Sequence, residues 1–499
     1  MRNAFENIFK EVAPMKKWFS LLLVLVMALS MLPMNSLAEA EKTYNMPPMN
    51  TTDEIHLVCS VHNDARNVAM AEALAAKFHE MYPNITIEVQ NVVHAGGLDA
   101  SLLDLLANDK LPDFGTAGWG INTMAANNFC YDITEFVEND EEYQTLVPAG
   151  TRNFGYLDGE RCYLMAIANR PCIVFLDQAM FEKLNVEMPD RNTWTFEDMQ
   201  ELMETMVDPS QGIFAFSLET DMFRMGTPSL TDNSLGVADW DGATVDLTNW
   251  FDLLVFDREC GRLGYKANPG SEQWLAAHPE NPWPATSGAV AMYINGFWTW
   301  ESVMNEQVAA TGVEYVPYFI PGGEGVENPG IYSWIDTGYV SAHTEYPREA
   351  YEAMKFMFWG LEGWKERTKL YAEMTYEDSG LKMWPNGPDY LPMINEPELN
   401  QMVADLFPDM GYWNDWEAFI ASGSNYVTDV SRFVVGWPEF FGGIYSNGDY
   451  NGQAHVEAGL WLYTIEPGDY VDGLNEAFLT YREEALKNFY KIYGEPAAE

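Results

Sequence analysis

Several of the tryptophans in this sequence stand beside carboxylates or amides in short polar stretches. "ADWDGATVD" holds Trp240 between Asp239 and Asp241, and "YSWIDTGYV" holds Trp334 two residues before Asp336. "GAVAMYINGFWTW" sets Trp298 and Trp300 just past Asn295-Gly296. Trp119 follows "LPDFGTAG", Asn63 and Asp64 follow "HLVCSV", and Trp437 lies in "VVGWPEFFGG". An indole is a flat, polarizable platform, and a nearby carboxylate or amide is a fixed hydrogen-bond partner. Together they suit a ring with an apolar C–H face and a rim of hydroxyls. A charge-assisted bond to Asp contributes about 1.5–3 kcal/mol, against about 1 for a neutral one. Each set also has a purely structural reading. Trp298 can pack beneath its turn, as Trp300 is expected to, and Trp119 can lid a helix of its own domain. Asp241-Gly242 reads as an ordinary turn, and Asn63 or Asp64 as a helix cap. Trp437 precedes a Gly- and aromatic-rich loop, "FFGGIYSNGDYNG", that reads as a surface excursion.

Other chemistries lack their local signs. The seven histidines are scattered, and there is no HExxH, GxSxG, P-loop or GxGxxG pattern. "NGDYNGQAHVE" approaches a calcium loop, but Ala458 stands where the bidentate glutamate belongs. No metal or cofactor is therefore expected. A secreted glycoside hydrolase stays open as an alternative, because two carboxylates in an aromatic cleft are all it needs. The five cysteines, Cys59, Cys130, Cys162, Cys172 and Cys260, are widely spaced among apolar residues and read as small buried side chains. A bridge between Cys162 and Cys172 depends on whether their strands are adjacent, which spacing does not decide.

These candidates need a scaffold, and the length of 499 residues favours more than one domain. Apolar residues at 47% and charged residues at 20% describe a folding, globular chain. With 75 acidic against 27 basic residues the formal charge is −48, a surface that repels phosphate backbones and anionic lipids, so no nucleic-acid partner is expected. The same acidity keeps open a cationic or peptide ligand. Lys16 and Lys17 precede the apolar run "WFSLLLVLVMALSML" and then "NSLAEA", so residues 1–40 read as an export signal, with Met15 as a second possible start. No cysteine follows the run closely enough for the usual lipid anchor.

After a linker over residues 41–52, "EIHLVCSV" reads as a buried strand, "NVAMAEALAAKFHEMYP" as a helix stopped by Pro83, and "ITIEVQNV" as a strand. That is a β-α-β unit. "ASLLDLLANDKLPDFGTAG", "NNFCYDITEFVEND" and "AIANRPCIVFLD" continue the pattern, and "TFEDMQELMETMV" is a helix with Thr195 as its cap and Asp198 closing the capping box. The fold class expected is α/β throughout.

Taken in order, "KFHEMYPNITIEVQ", "LPDFGTAGWG", "YDITEFVEND", "DGERCYLMAIANRPCIVFLDQAMFEKLNVEMPDRNTWTFEDMQELM", "SAHTEYPREAYEAMKFMFWGLEGWKE" and "YVDGLNEAFLTYREEALKNFY" resemble the family 1 extracellular (periplasmic) solute-binding proteins of ABC importers, the group that includes maltose-binding protein. "GAVAMYINGFWTW" is similar to a strand and turn of that group, with Phe297 where the pattern has proline. The resemblance implies a two-lobe, type II periplasmic-binding fold with its ligand cleft between lobes joined by several crossings. Residues 53–168 plus 335–390 would form the N-terminal lobe and 169–334 plus 391–499 the C-terminal lobe. It further implies a monomeric, non-enzymatic carrier outside the cytoplasm that delivers a carbohydrate to permease subunits. Trp298 matches the position that stacks on a sugar ring.

Overall fold

The computed structural model describes residues 43–495 except 63–64, 93–103, 109, 118–127, 153–154, 157–159, 192, 219–221, 233–235, 238–244, 300–310, 312, 328, 386, 389, 407–425, 428–433, 438–439 and 441–467. Met46–Glu499 form one compact unit. Its first strand, β1 (Ile55–His62), lies parallel to β2 (Ile85–Val92) and β3 (Phe114–Ala117), with the helix Ala65–Met81 as the crossover. The helix buries Met70, Ala71, Leu74, Ala75 and Phe78, the stripe that its apolar spacing requires. The β-α-β expectation is met with the strand and helix types as read.

Two long strands organise the rest. β4 (Leu164–Asp177) is buried along nearly its whole length, and Arg170 is its one half-buried residue. Up to Pro171 it pairs antiparallel with β8 (Ile331–Val340). From Cys172 onward it pairs with β6 (Val290–Gly296) on one side and β7 (Tyr315–Phe319) on the other, and β6 carries β5 (Phe214–Leu218) on its far edge. β8 in turn pairs antiparallel with β3 through Thr337–Val340. Thus β4 lies in two sheets, one ordered β2-β1-β3-β8-β4 and the other β7-β4-β6-β5. The register between β4 and β8 slips between Ala166 and Ala168. An extra residue bends a strand and increases its twist, which is how one strand leaves the first sheet and enters the second.

A third segment joins the two strands. The Leu391 amide donates to the Asn169 carbonyl at 3.0 Å, and Ser333 Oγ hydrogen-bonds Asn169 Oδ1. The side chain and backbone of Asn169 therefore tie β4, β8 and the segment at Leu391 together.

Helices cover the sheets. Phe196–Thr205 starts as expected: the Asp198 amide donates to Thr195 Oγ1 at 3.1 Å, and the Thr195 amide donates to Asp198 Oδ2 at 2.8 Å. Pro347–Met354 runs through a π-helical turn, Lys355–Trp359, before Leu361–Glu373. The helix Pro397–Leu406 lies against Leu361–Glu373, with Lys365 3.5 Å from Glu398. The last turns of Gly468–Tyr493 pack Phe489 and Tyr493 onto Tyr163, and Arg161 donates to the Tyr493 carbonyl at 3.0 Å.

All five cysteines are free and buried. Cys172 lies in β4 and Cys162 just before it. Ten residues of extended chain span about 33 Å, so the two thiols cannot bridge.

Candidate functional site

The site grows from the crossing of β4 and β8. Arg170 lies opposite Trp334 in the ladder, and Tyr332, Trp334 and Asp336 alternate onto one face of β8. Arg170 Nη1 forms an ion pair with Asp336 Oδ2 across the strands. Both side chains are mostly sheltered, at 18% and 20% exposure, so the pair is screened less than a surface bridge.

Trp298 enters from β6. That strand runs through Asn295 and Gly296, which pair with Ile173 and Cys172. The expected Asn-Gly turn is therefore absent: both residues are strand, and the chain turns one residue later in the 3-10 segment Phe297–Thr299. Glycine serves another purpose here. A Cβ on Gly296 would stand 2.1 Å from the Trp298 ring, so the indole lies flat over a backbone that no side chain can occupy. Phe297 points inward and is buried, Thr299 Oγ1 donates to the Gly296 carbonyl at 2.7 Å, and Trp298 is left 43% exposed. Its ring meets that of Trp334 edge to face, centroids 4.4 Å apart at 75°, and Trp334 meets Tyr332 in the same manner at 4.8 Å.

Beyond Asp336 lies an open cavity. It is lined by Val61 at the end of β1, Asn67 from the following helix, Thr116 on β3, Arg170 and Asp336 at the crossing, and Arg367 and Tyr390 opposite. Arg170 sits over the Tyr390 ring at 5.2 Å and Arg367 at 4.9 Å. The π-helical turn positions Arg367, whose Nη2 donates to the Met357 carbonyl at 2.7 Å. Such turns expose carbonyls and recur at functional sites.

Of the residues expected from sequence, the structure brings Trp298, Trp334 and Asp336 together. Trp437 goes elsewhere: it is buried against Phe440 and Phe478, at 5.4 and 5.6 Å, in an aromatic cluster under the last helix. Asn63, Asp64, Trp119, Asp239, Trp240, Asp241 and Trp300 lie outside the described residues, as does the calcium-like loop. Sequence reasoning missed Arg170, Arg367 and Tyr390. Two of these had a signal. Arg170 interrupts an otherwise apolar strand, and Arg367 falls on the buried stripe Trp364, Arg367, Thr368, Tyr371 of its helix. A charge at such a position needs a partner.

An α/β scaffold in which shared strands cross between two sheets, with exposed indole and ion pair at the crossing, defines a two-lobe binding protein of the periplasmic type. The profile of the bacterial extracellular solute-binding proteins matches residues 73–373, and the chain belongs to that family. The family places it outside the cytoplasm, and among the described residues no helix is long and apolar enough to cross a membrane. No curated protein matches in sequence. Solved structures match in fold. A cyclic α-maltosyl-1,6-maltose binding protein from Arthrobacter globiformis is 13% identical with a TM-score of 0.60, covering 86% of this chain and 99% of its own. An ABC substrate-binding protein from Listeria monocytogenes, in complex with cycloalternan, is 16% identical with a TM-score of 0.58, covering 89% and 100%. The sugar-binding protein MalE of Xanthomonas citri is 13% identical with a TM-score of 0.56, covering 88% and 100%. All three are binding proteins.

Proposed function

We propose that the chain is the extracytoplasmic binding component of an ABC importer, that it carries a carbohydrate of more than one ring, and that it delivers the ligand to permease subunits as a monomer without chemical change. The observation that carries the reading is the half-exposed Trp298 set edge-on to Trp334 beside Asp336. It combines a platform for C–H faces with a carboxylate for hydroxyls. The cycloalternan complex and the cyclic maltosyl-maltose binding protein among the similar folds support the same ligand class.

On this reading residues 53–168 and 335–390 form one lobe and 169–334 the other. The contacts of Pro397–Leu406 and of the end of the last helix favour placing those two pieces with the first lobe rather than the second. Residues 1–40 act as the export signal. Asn63, Asp64, Trp119, Asp239, Trp240 and Asp241 remain candidates for further contacts. Closure of the lobes is driven by contacts that exist only in the closed state.

A thermal-shift screen against mono- and oligosaccharides tests the proposal. A ligand at 100 times its Kd stabilises by about 2.7 kcal/mol. Shifts with glycans, and no shortening of those glycans on incubation, are expected. Chain shortening would establish a hydrolase instead, and shifts with polyamines or peptides alone would establish the cationic reading.

A further inference from the structure

Two buried polar groups bracket the slip in the β4–β8 ladder. The extra residue there is Ile167, between Ala166 and Ala168. Two residues on, Asn169 is 1% exposed, and its side-chain nitrogen has no hydrogen-bond partner. Ser333, itself fully buried, engages one end of that amide. Whichever way the amide is turned, its other end is left over. On the far side of β8, Thr116 Oγ1 is buried in the same condition. Its packing explains why. Thr116 stands across from Gly338, where a Cβ would lie 2.8 Å from Ile167 Cγ2 and 2.9 Å from Met354 Sδ, so no side chain at that position of β8 can serve the hydroxyl. Buried polar groups without partners are costly, and native structures keep few of them. Both atoms are closed to solvent, so a ligand reaches neither directly.

We infer that this crossing is a two-state hinge that turns at Ile167, and that its second arrangement supplies the partners that Asn169 and Thr116 lack in the first. The inference rests on the proposed function in taking the turn of β8 against β4 as the closure of the lobes. It goes beyond that reading in one respect: the closed form gains hydrogen bonds within the protein itself, so it is populated before any sugar arrives. A bulge is where a strand pair bends, because its extra residue stands outside the ladder. The Leu391 amide, bound to the Asn169 carbonyl, carries the third segment with the same residue. A contact made by protein with protein in one state only sets the fraction of binding-competent molecules, and that fraction scales the Kd of every ligand equally. A residue that touches sugar instead changes the Kd of one glycan more than that of another.

The test removes both ends of the Asn169–Ser333 bond together. In the double variant Asn169→Leu, Ser333→Ala, apolar side chains replace a polar pair, a change that leaves stability nearly as it was. Cysteines introduced as Ala76→Cys and Glu204→Cys, at exposed positions of the helices Ala65–Met81 and Phe196–Thr205, carry spin labels, since the five native thiols are buried. Pulsed dipolar measurements on the unliganded protein should show two distances, with the shorter population depleted about fivefold or more in the double variant. Calorimetric titration with cycloalternan and with maltotetraose should give Kd values raised by one common factor of about five to ten, the effect of a single buried hydrogen bond. Ser333→Ala alone, which keeps the amide, should raise neither Kd. A single distance in the unliganded protein with its native crossing overturns the inference, whether or not the double variant folds. An unchanged shorter population in the variant, or a Kd raised for one glycan and not the other, overturns it too and leaves the carbohydrate function standing. Two distances that respond to the double variant, with no binding of either glycan and no shift in the wider screen, keep the hinge and overturn the function instead.

Discussion

Trp298, just past the end of β6, and Trp334, on β8, meet edge to face with ring centroids 4.4 Å apart. The contact joins the end of β6 to the crossing in β8. One ring supports the other, and the supported ring keeps its free face in solvent.

Replacing Trp298 with alanine should therefore leave the fold intact, because a residue 43% exposed contributes little to the core. Its loss should cost about 2 kcal/mol of carbohydrate binding, near thirty-fold in Kd, as buried aromatic anchors do at interfaces. Circular dichroism and titration check the two halves. Unfolding, or unchanged affinity, would remove Trp298 from the site.

Gly296→Ala separates the presence of the indole from its placement. The new methyl would overlap the Trp298 ring, 2.1 Å away, so the ring must lift off the strand. Binding should fall as it does in Trp298→Ala, and tryptophan emission should shift although no tryptophan is lost. A variant that binds normally would mean that the ring has freedom the packing does not suggest.

Asp140 is 3% exposed and holds Lys355 Nζ at 2.8 Å and accepts from the Tyr351 hydroxyl at 3.1 Å, while Glu142 lies 3.0 Å from the same lysine. Burial works against the charge of Lys355, but Asp140 and Glu142 outweigh it and hold its pKa above the ordinary lysine value. Asp140→Ala removes a partner from a sheltered cation and should destabilise by about 3 kcal/mol, measured by urea unfolding. Because none of these four side chains lines the cavity, Kd for glycans should change far less than stability does. A cost under about 1 kcal/mol would mean that Glu142 alone suffices.

Alkali should weaken the protein before it touches any salt bridge. Burial raises the thiol pKa of Cys59, Cys130, Cys162 and Cys172, and pushes that of Cys260 up to about 12, with Asp257 adding to it. In the unfolded chain a thiol ionises near pH 8.5. Above that pH the unfolded state releases protons that the folded state keeps, so stability is full below about pH 8.5 and falls as pH rises toward the folded values. Each thiol contributes up to about 1.4 kcal/mol per pH unit. Urea midpoints should be flat in this term from pH 7 to 8 and drop between pH 9 and 10, less steeply in Cys59→Ala. A flat profile to pH 10 would show that the thiols ionise without unfolding.

Local elements were largely legible. The β1, helix and β2 run, the long buried strand around "AIANRPCIVFLD" and the Thr195 capping box all follow from period and cap chemistry acting over a few residues. The site was legible only where aromatic and acid stood close in sequence, as at Trp334 and Asp336. It was illegible where distant segments converge: Arg367 and Tyr390 gave no local sign of facing Arg170. Asn295-Gly296 misled, since a glycine that usually marks a turn is here required by the close approach of a ring. Trp437 misled too, because an indole beside glycines looks the same in sequence whether it faces a ligand or the core.

The sequence by itself determined an α/β chain, its strongly acidic surface, its buried cysteines and its likeness to the solute-binding proteins, because burial pattern and charge are properties of short windows and of sums. Only the tertiary structure decided which residues share the crossing. The slip in register between Ala166 and Ala168 and the antiparallel return of β8 bring Arg170, Trp334, Asp336 and Trp298 to one place. Pairing between strands more than a hundred residues apart is set by packing of the whole core, which no local spacing records.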